Sequence, residues 1–356
     1  MKKCWYYVQM AIRSIRRCLS YKKSNTEIHP KTTMGQTLSE PVTTKHTESC
    51  QNQYLKVGSS SMQGWRINME DSHTHILALP DDPSAAFFGV YDGHGGARIA
   101  QYAGKNLHKF ITKRPEYEEN RISDALQLGF MDMDTAMAED EMLKDELAGS
   151  TAVVVLVKDK KMYCANVGDS RAIASVSGVV EPLSYDHKPN NELETKRIEA
   201  AGGWVMFNRV NGNLALSRAL GDYIFKKNDQ KKLDEQIVIA WPDIEVKSVT
   251  KDLEFIVLAC DGIWDVMTNE EVVEFVRFRV SNGMEPEDIC EDLMTRCLAP
   301  NGQMGGLGCD NMTVVIVCFL GEGRTWKELQ VQCSKPSAAE SNSPNSSPTS
   351  SPKSKH

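Results

Sequence analysis

Apolar and polar positions along the chain alternate between short strand-like runs and helical stretches. The runs SHTHILAL, AAFFGVY, TAVVVLVKD, KMYCANV, RAIASV, LALSRAL, FIVLAC and MTVVIVCF are rich in Val, Ile and aromatic residues, the composition of buried or half-buried strands. The stretch Asp159 to Lys161 between two of them predicts a hairpin. Helical spacing marks ARIAQYAGKNLHKFIT, which stops before Pro115, and SDALQLGFMDMDTAMAEDEML, with Ser123 as its cap. It also marks NELETKRIEAAGG, which ends on Gly202 and Gly203, and TNEEVVEFVRFRV, where Thr268 and Glu271 make a capping box. Strands come in clusters and helices in pairs. That order argues against a doubly wound parallel sheet and for antiparallel sheets covered by helices.

The same pattern divides the chain. Residues 54–320 read as one continuous globular unit. Residues 1–53 read as a basic leader and polar linker, largely disordered. Within the leader, Tyr7, Met10, Ile15 and Cys18 sit at rough helical spacing with arginines between them. Three readings stand: a surface-seeking amphipathic helix, a transit-like leader rich in Arg and poor in acid, or a disordered basic tail. Met34 opens MGQTLS, which matches the myristoylation pattern with Gly35 as acceptor and Ser39 in place. Gly35 is internal, so this form is not expected to be acylated; a shorter product initiated at Met34 could be. Residues 321–356 read as a disordered tail rich in Ser and Pro. There Ser343, Ser347 and Ser351 each precede proline, either as phosphorylation sites or within a solubilising low-complexity segment.

Composition adds limits. Hydrophobic residues make up 41% and charged residues 25%, ordinary values that allow a substantial core. No apolar run approaches the roughly 20 residues of a membrane helix. Net charge is −7. Residues 1–33 carry +7, from eight basic residues against Glu27 alone, so the remainder carries −14. An acidic body gives no reason to expect nucleic-acid binding. The ten cysteines include no C-x-x-C and read as reduced thiols of cytosol or nucleus. Cys260 and Cys309 read as small apolar residues at strand ends. A cytoplasmic or nuclear monomer is expected, with peripheral membrane association open only through the leader.

Candidate chemistry gathers at strand ends. FFGVYDGHGG (87–96) runs a core strand into Asp92, His94 and three glycines. Asp261 follows FIVLAC, Asp310 precedes MTVVIVCF, Asp169 separates two further runs, and Glu70 and Asp71 stand just ahead of HTHILAL. One Asp-Gly after a strand is an ordinary turn. Several acidic residues at strand junctions, if the ends converge, place four or five carboxylates in one small volume. Such crowding requires protonation or cations. Oxygen-only donors select Mg²⁺ or Mn²⁺ over zinc. Two such ions about 3.5–4 Å apart bridge a water and lower its pKa, and a phosphate ester is the natural substrate. His94 is placed to protonate a departing alkoxide. Arg66 is placed to grip phosphate oxygens.

The motifs GWRINMEDSH, VYDGHGG, NVGDSR, DHKPNNELETKRIEAAGG, NGNLALSRALGD, ACDGIWDVM and GCDNMTVVI resemble, in order and across residues 54–320, the metal-dependent type-2C serine/threonine protein phosphatases. The resemblance implies an α+β fold: a layered α/β/β/α sandwich of two antiparallel β-sheets flanked by helices. It implies that Asp92 bridges two ions and that Gly93 offers its carbonyl to one of them. By the same resemblance Asp261 and Asp310 ligate the other ion, Glu70 acts within or near the coordination shell, and Asp71 supports the cluster. Asp169 and Asp265 resemble the ligands of a weaker third ion, Arg66 the phosphate-binding arginine and His94 the general acid. The segment from Gly203 to Tyr223 resembles the flap beside the active site. Implied substrates are phosphoproteins, attacked in line by water without a phosphoenzyme. The basic leader and Ser/Pro tail have no counterpart in these motifs. Two other classes remain open at this level: a non-catalytic docking protein, and a two-metal enzyme for nucleotides or another phosphoester.

Overall fold

The computed structural model describes residues 37–302, 306–321 and 323–338. The readings of residues 1–36, including Gly35, and of the Ser-Pro repeat at Ser343, Ser347 and Ser351 lie outside the described residues.

Among the described residues, eleven longer strands, numbered in chain order, make two sheets. The first runs β1 (Thr37–Gln51), β2 (Leu55–Arg66), β11 (Met312–Phe319), β10 (Leu253–Ala259), β7 (Arg171–Val176), β8 (Val179–Pro182). The second runs β9 (Asp243–Ser248), β6 (Lys161–Val167), β5 (Ala152–Lys158), β4 (Ala86–Tyr91), β3 (Ser72–Ile76). Every neighbouring pair in both sheets is antiparallel. The predicted hairpin joins β5 to β6. Asp159 and Lys160 both take positive φ, 51° and 57°, as a two-residue primed turn requires.

Strand alternation explains why these runs are apolar at every position. In β4, Ala86, Phe88 and Val90 point between the sheets, while Phe87 and Tyr91 point outward. In β11, Val315, Val317 and Phe319 point inward, and Val314, Ile316 and Cys318 outward. Both faces are buried because helices cover the outside. Helices α1 (Arg98–Thr112) and α2 (Ile122–Glu139) pack on the second sheet. Helices α4 (Asn269–Ser281), α5 (Pro286–Cys297) and α6 (Trp326–Cys333) pack on the first. The result is the expected α/β/β/α sandwich. Helix α3 (Glu192–Ala200) belongs to a smaller cluster with Val210, Leu216, Phe225 and Val238.

Several local expectations need correction. Residues 37–51 are not an irregular linker but the edge strand β1. Its Thr, Ser and Glu positions face water on one side, so no apolar alternation marks it. The β2 ladder holds it, as does Thr47 Oγ1, 2.8 Å from Ser60 Oγ and donating at 2.6 Å to Glu291 Oε1. Ser123 does not cap α2. Arg121 takes that place, because Ile122 is buried and draws the chain into the helix two residues earlier. Within LALSRAL only Leu220 joins a strand, the two-residue Leu220–Gly221. Helix α5 escaped the pattern reading altogether. Residues 326–333, read as part of a disordered tail, form α6. Its capping box uses Thr325 and Glu328, and it buries Leu329 and Cys333 against the first sheet's helical layer.

Because Leu329 is wholly buried, Leu329→Ala is expected to cost about 2–4 kcal/mol of stability in urea denaturation. A cost under about 0.5 kcal/mol, typical of surface substitutions, would remove α6 from the core.

Candidate metal centre

Strand ends from both sheets deliver the acidic residues. Asp92 leaves β4 and is clamped to the neighbouring chain in both directions. Its N–H donates to Thr151 Oγ1 at 3.0 Å, and its carbonyl accepts from Thr151 N–H at 2.9 Å. Thr151 Oγ1 lies 2.7 Å from Ser170 Oγ, which ties this junction to the loop holding Asp169. Asp71 precedes β3, and its Oδ2 accepts from Thr313 Oγ1 of β11 at 2.7 Å. Asn311 organises the opposite side. Its Oδ1 accepts from the Glu70 N–H at 3.0 Å, and its Nδ2 donates to the Gln63 and Asn68 carbonyls at 2.8 and 3.0 Å. Its own N–H donates to Asp310 Oδ1 at 2.7 Å. Asp261 opens the one-turn helix Asp261–Trp264, and Asp265 caps that turn's exposed end.

Two glycines are set by close approach. A Cβ on Gly93 would stand 2.4 Å from the Glu70 carbonyl oxygen. A Cβ on Gly262 would stand 2.2 Å from the Asn311 carbonyl oxygen. Neither position accepts a side chain without moving the loops that hold the acids.

The electrostatics record the crowding. Burial raises the Asp92 carboxyl well above the usual range, and Asp261, Asp71, Asp310 and Asp169 raise it further. Asp261 is raised by burial, then by Asp169, Asp310 and Asp265. Asp71 is pushed up to about 7, mainly by burial, with its hydrogen bond to Thr313 opposing and Asp310 adding. Two cations face this group directly. Arg66 pairs with Asp310, and Lys188 with Asp169. Among the described residues Asp71 Oδ1 is buried and has no hydrogen-bond partner, the Cys260 thiol being a neighbouring group that eases the Asp71 charge. An orphaned carboxylate oxygen among mutually repelling carboxylates fits a resident cation. Cys260 also reaches this point, its Sγ within 4.8 Å of the Asp71 and Asp92 oxygens. Burial and then Asp71 and Asp92 hold it as a thiol. The anionic donors are therefore oxygens, a hard set that suits Mg²⁺ or Mn²⁺.

His94 stands beside the acids with a partner of its own. Nε2 lies 2.6 Å from Asp222 Oδ2, and Asp222 is buried. Burial works against the imidazolium. The Asp222 charge and hydrogen bond, with Asp169 and Glu70, outweigh it and raise the His94 pKa above its ordinary value. His94 and Gly149 pair across a short ladder, and so do Gly221 and Gly149. A Cβ on Gly149 would come within 2.2 Å of Asp222 Oδ2 and 2.5 Å of His94 Nε2. Asp134 fixes the far side of that ladder, accepting from the Gly221 N–H and from Lys226 Nζ at 2.8 and 2.7 Å.

All the singled-out residues thus fall in one neighbourhood, with Asp265 at its exposed rim. Asp222, Thr151, Lys188, Asn311 and Thr313 were missed. The Asp222–His94 pair spans 128 residues, and no local pattern links its members. A cavity of about 1460 Å³ lies elsewhere and is lined by Tyr54, Lys158, Val249, Arg277, Phe319 and Arg324 among others. The acidic site borders no part of it.

An antiparallel sandwich that drives strand ends from both sheets into one carboxylate cluster, beside an arginine and a carboxylate-paired histidine, is the architecture of a metal-dependent phosphatase. Residues 55–303 match the family model described as Protein phosphatase 2C. A probable protein phosphatase 2C of Caenorhabditis elegans is 59% identical over 304 residues, covering 85% of each chain. Protein phosphatase 2C homolog 2 of Schizosaccharomyces pombe is 46% identical over 327 residues, covering 88% of each. A phosphatase crystal structure from Toxoplasma gondii aligns with a TM-score of 0.67 at 26% identity, covering 78% of this chain and 96% of that one. The chain belongs to the protein phosphatase 2C family. It is an enzyme, a protein serine/threonine phosphatase.

Asp222→Asn removes the charge that raises the His94 pKa, leaving burial unopposed by that carboxylate. The His94 midpoint, followed by NMR through a pH titration, is expected to fall below the ordinary value of about 6.5. An unchanged midpoint would remove Asp222 as its source.

Proposed function

We propose that the enzyme hydrolyses phosphoserine and phosphothreonine esters of proteins at this cluster, with two Mg²⁺ or Mn²⁺ ions resident. The observation that carries the reading is the crowded set Asp71, Asp92, Asp261 and Asp310, in which burial and neighbouring acids raise the carboxyls of Asp71, Asp92 and Asp261, with the unpartnered Asp71 Oδ1. Asp92, the Gly93 carbonyl, Glu70, Asp261 and Asp310 would hold the two ions, Asp71 would support them, and Asp169 and Asp265 would suit a weaker third. When bound, the ions supply charge neutralisation and an activated water.

The chain's own groups do the rest. Arg66, half-exposed beside Asp310, presents a planar fork for phosphate oxygens. Asp222 engages Nε2 of His94, so Nδ1 is the nitrogen left to give a proton to the departing seryl or threonyl oxygen. Asp222, by its charge and hydrogen bond, raises the His94 pKa against burial and so favours the protonated form that this role needs. The side chains of Arg66 and Asp310 are 45% and 31% exposed, so the phosphate subsite opens at the surface. That favours a phosphorylated side chain on a protein over a ligand needing enclosure.

On a phosphothreonine peptide with Mn²⁺, Asp92→Asn and metal removal by EDTA are each expected to lower turnover at least about a hundredfold. Robust turnover in metal-free buffer would overturn the two-ion reading. His94→Ala is expected to lose about 100-fold or more on that peptide and far less on an aryl phosphate, whose leaving group needs no proton. Equal losses on both substrates would count against the acid role.

A further inference from the structure

The two sheets meet a second cluster of ligating groups at their edges. β3 is the edge strand of one sheet and β1 of the other. His73 and His75 pair with Val90 and Phe88, both inter-sheet core residues, so the two imidazoles face between the sheets. Glu48 of β1 pairs with the buried Ser59 of β2. Glu48 Oε2 lies 3.3 Å from His75 Nε2, and Ser59 Oγ lies 3.1 Å from His75 Nδ1. His73 stacks on His75 with ring centroids 5.8 Å apart. One ligand atom from each of Glu48, His73 and His75 falls within 4.8 Å of the others.

We propose that Glu48, His73 and His75 form a second metal site, selective for Zn²⁺, that staples the edge of one sheet to the edge of the other. Two imidazoles and one carboxylate are a zinc donor set, with a fourth position left for water. Mg²⁺ and Mn²⁺ prefer the all-oxygen cluster. Tetrahedral coordination at about 2.0–2.1 Å places ligand atoms about 3.3 Å apart. The Glu48–His75 pair already has that spacing. The Glu48 side chain is 67% exposed and free to adjust toward His73. Ser59 supplies the outer partner such sites need: its oxygen accepts the Nδ1 proton and turns Nε2 toward the ion. Burial holds the His75 imidazole below its ordinary pKa, hence neutral at pH 7, against an opposing pull from Glu48. A Glu48–His75 ion pair alone would leave unexplained why His73, with no hydrogen bond to its ring among the described residues, converges on the same point.

The test is calorimetric titration of the full chain with ZnCl₂ under saturating Mg²⁺, which keeps the acidic cluster occupied. One equivalent of Zn²⁺ is expected to bind and to raise Tm. His75→Gln is expected to weaken Kd more than about 100-fold, and Glu48→Gln about 10-fold or more. Both variants should keep phosphopeptide turnover within about twofold of the parent without zinc, which shows that they are folded. Asp92→Asn should keep the zinc affinity. Absence of zinc binding, equal affinity in the parent and both variants, or loss in Asp92→Asn alone would overturn the site.

Discussion

Repulsion among carboxylates is the constraint around which this structure is arranged. Burial and neighbouring acids, Asp169 and Asp310 among them, raise the carboxyls of Asp71, Asp92, Asp261 and Asp265. Left to itself such a group would spread into solvent. It is held because Asp71, Asp92, Asp261 and Asp310 stand at strand ends that cannot move independently. The strands behind Asp92, Asp261 and Asp310 run through the inter-sheet core, where Phe88, Val90, Leu258, Val315 and Val317 are fully buried. Hydrophobic burial along those strands offsets the cost of bringing like charges together.

Backbone approach does the finer positioning. At Gly93, Gly149 and Gly262 the chain passes so near a carbonyl or a functional side chain that any Cβ would collide. Thr151 binds both the N–H and the carbonyl of Asp92, and Asn311 links the Glu70 loop to Asp310. None of these groups is itself an acid of the cluster. They convert a general tendency of strand ends to converge into fixed positions.

Much of this was legible in the sequence, for physical reasons that also explain the omissions. Asp92, Asp261 and Asp310 stand out because each interrupts an apolar run, and the burial of both faces of those strands follows from their composition. The α/β/β/α layering followed only by resemblance, since periodicity does not choose between ways of stacking sheets. Strand β1 escaped notice because an edge strand can be polar throughout, its ladder made by backbone groups that no side-chain pattern reports. Helix α6 carries a capping box in plain view, yet its single buried face rests on Leu329 and Cys333, too few apolar residues to stand out beside a polar tail. Asp222 looked like the end of a motif. Its pairing with His94 is a tertiary fact, made by a ladder that joins Gly221 to Gly149 and Gly149 to His94.

Fold and proposed centre are therefore not separable parts. The interactions that fix the acids are also ladder and loop contacts of the sandwich: Thr313 belongs to β11, and the ladder that sets His94 closes between α1 and α2 through Asp134. A cation entering the cluster relieves repulsion that the folded state bears and the unfolded chain, with its acids far apart, does not. By linkage, whatever binds the folded state alone stabilises it. The same acids that burden the fold without a cation become additional ties between the two sheets once one is bound, because Asp92 comes from one sheet and Asp261 and Asp310 from the other. Occupancy of the centre and cohesion of the sandwich are then two readings of a single charge balance.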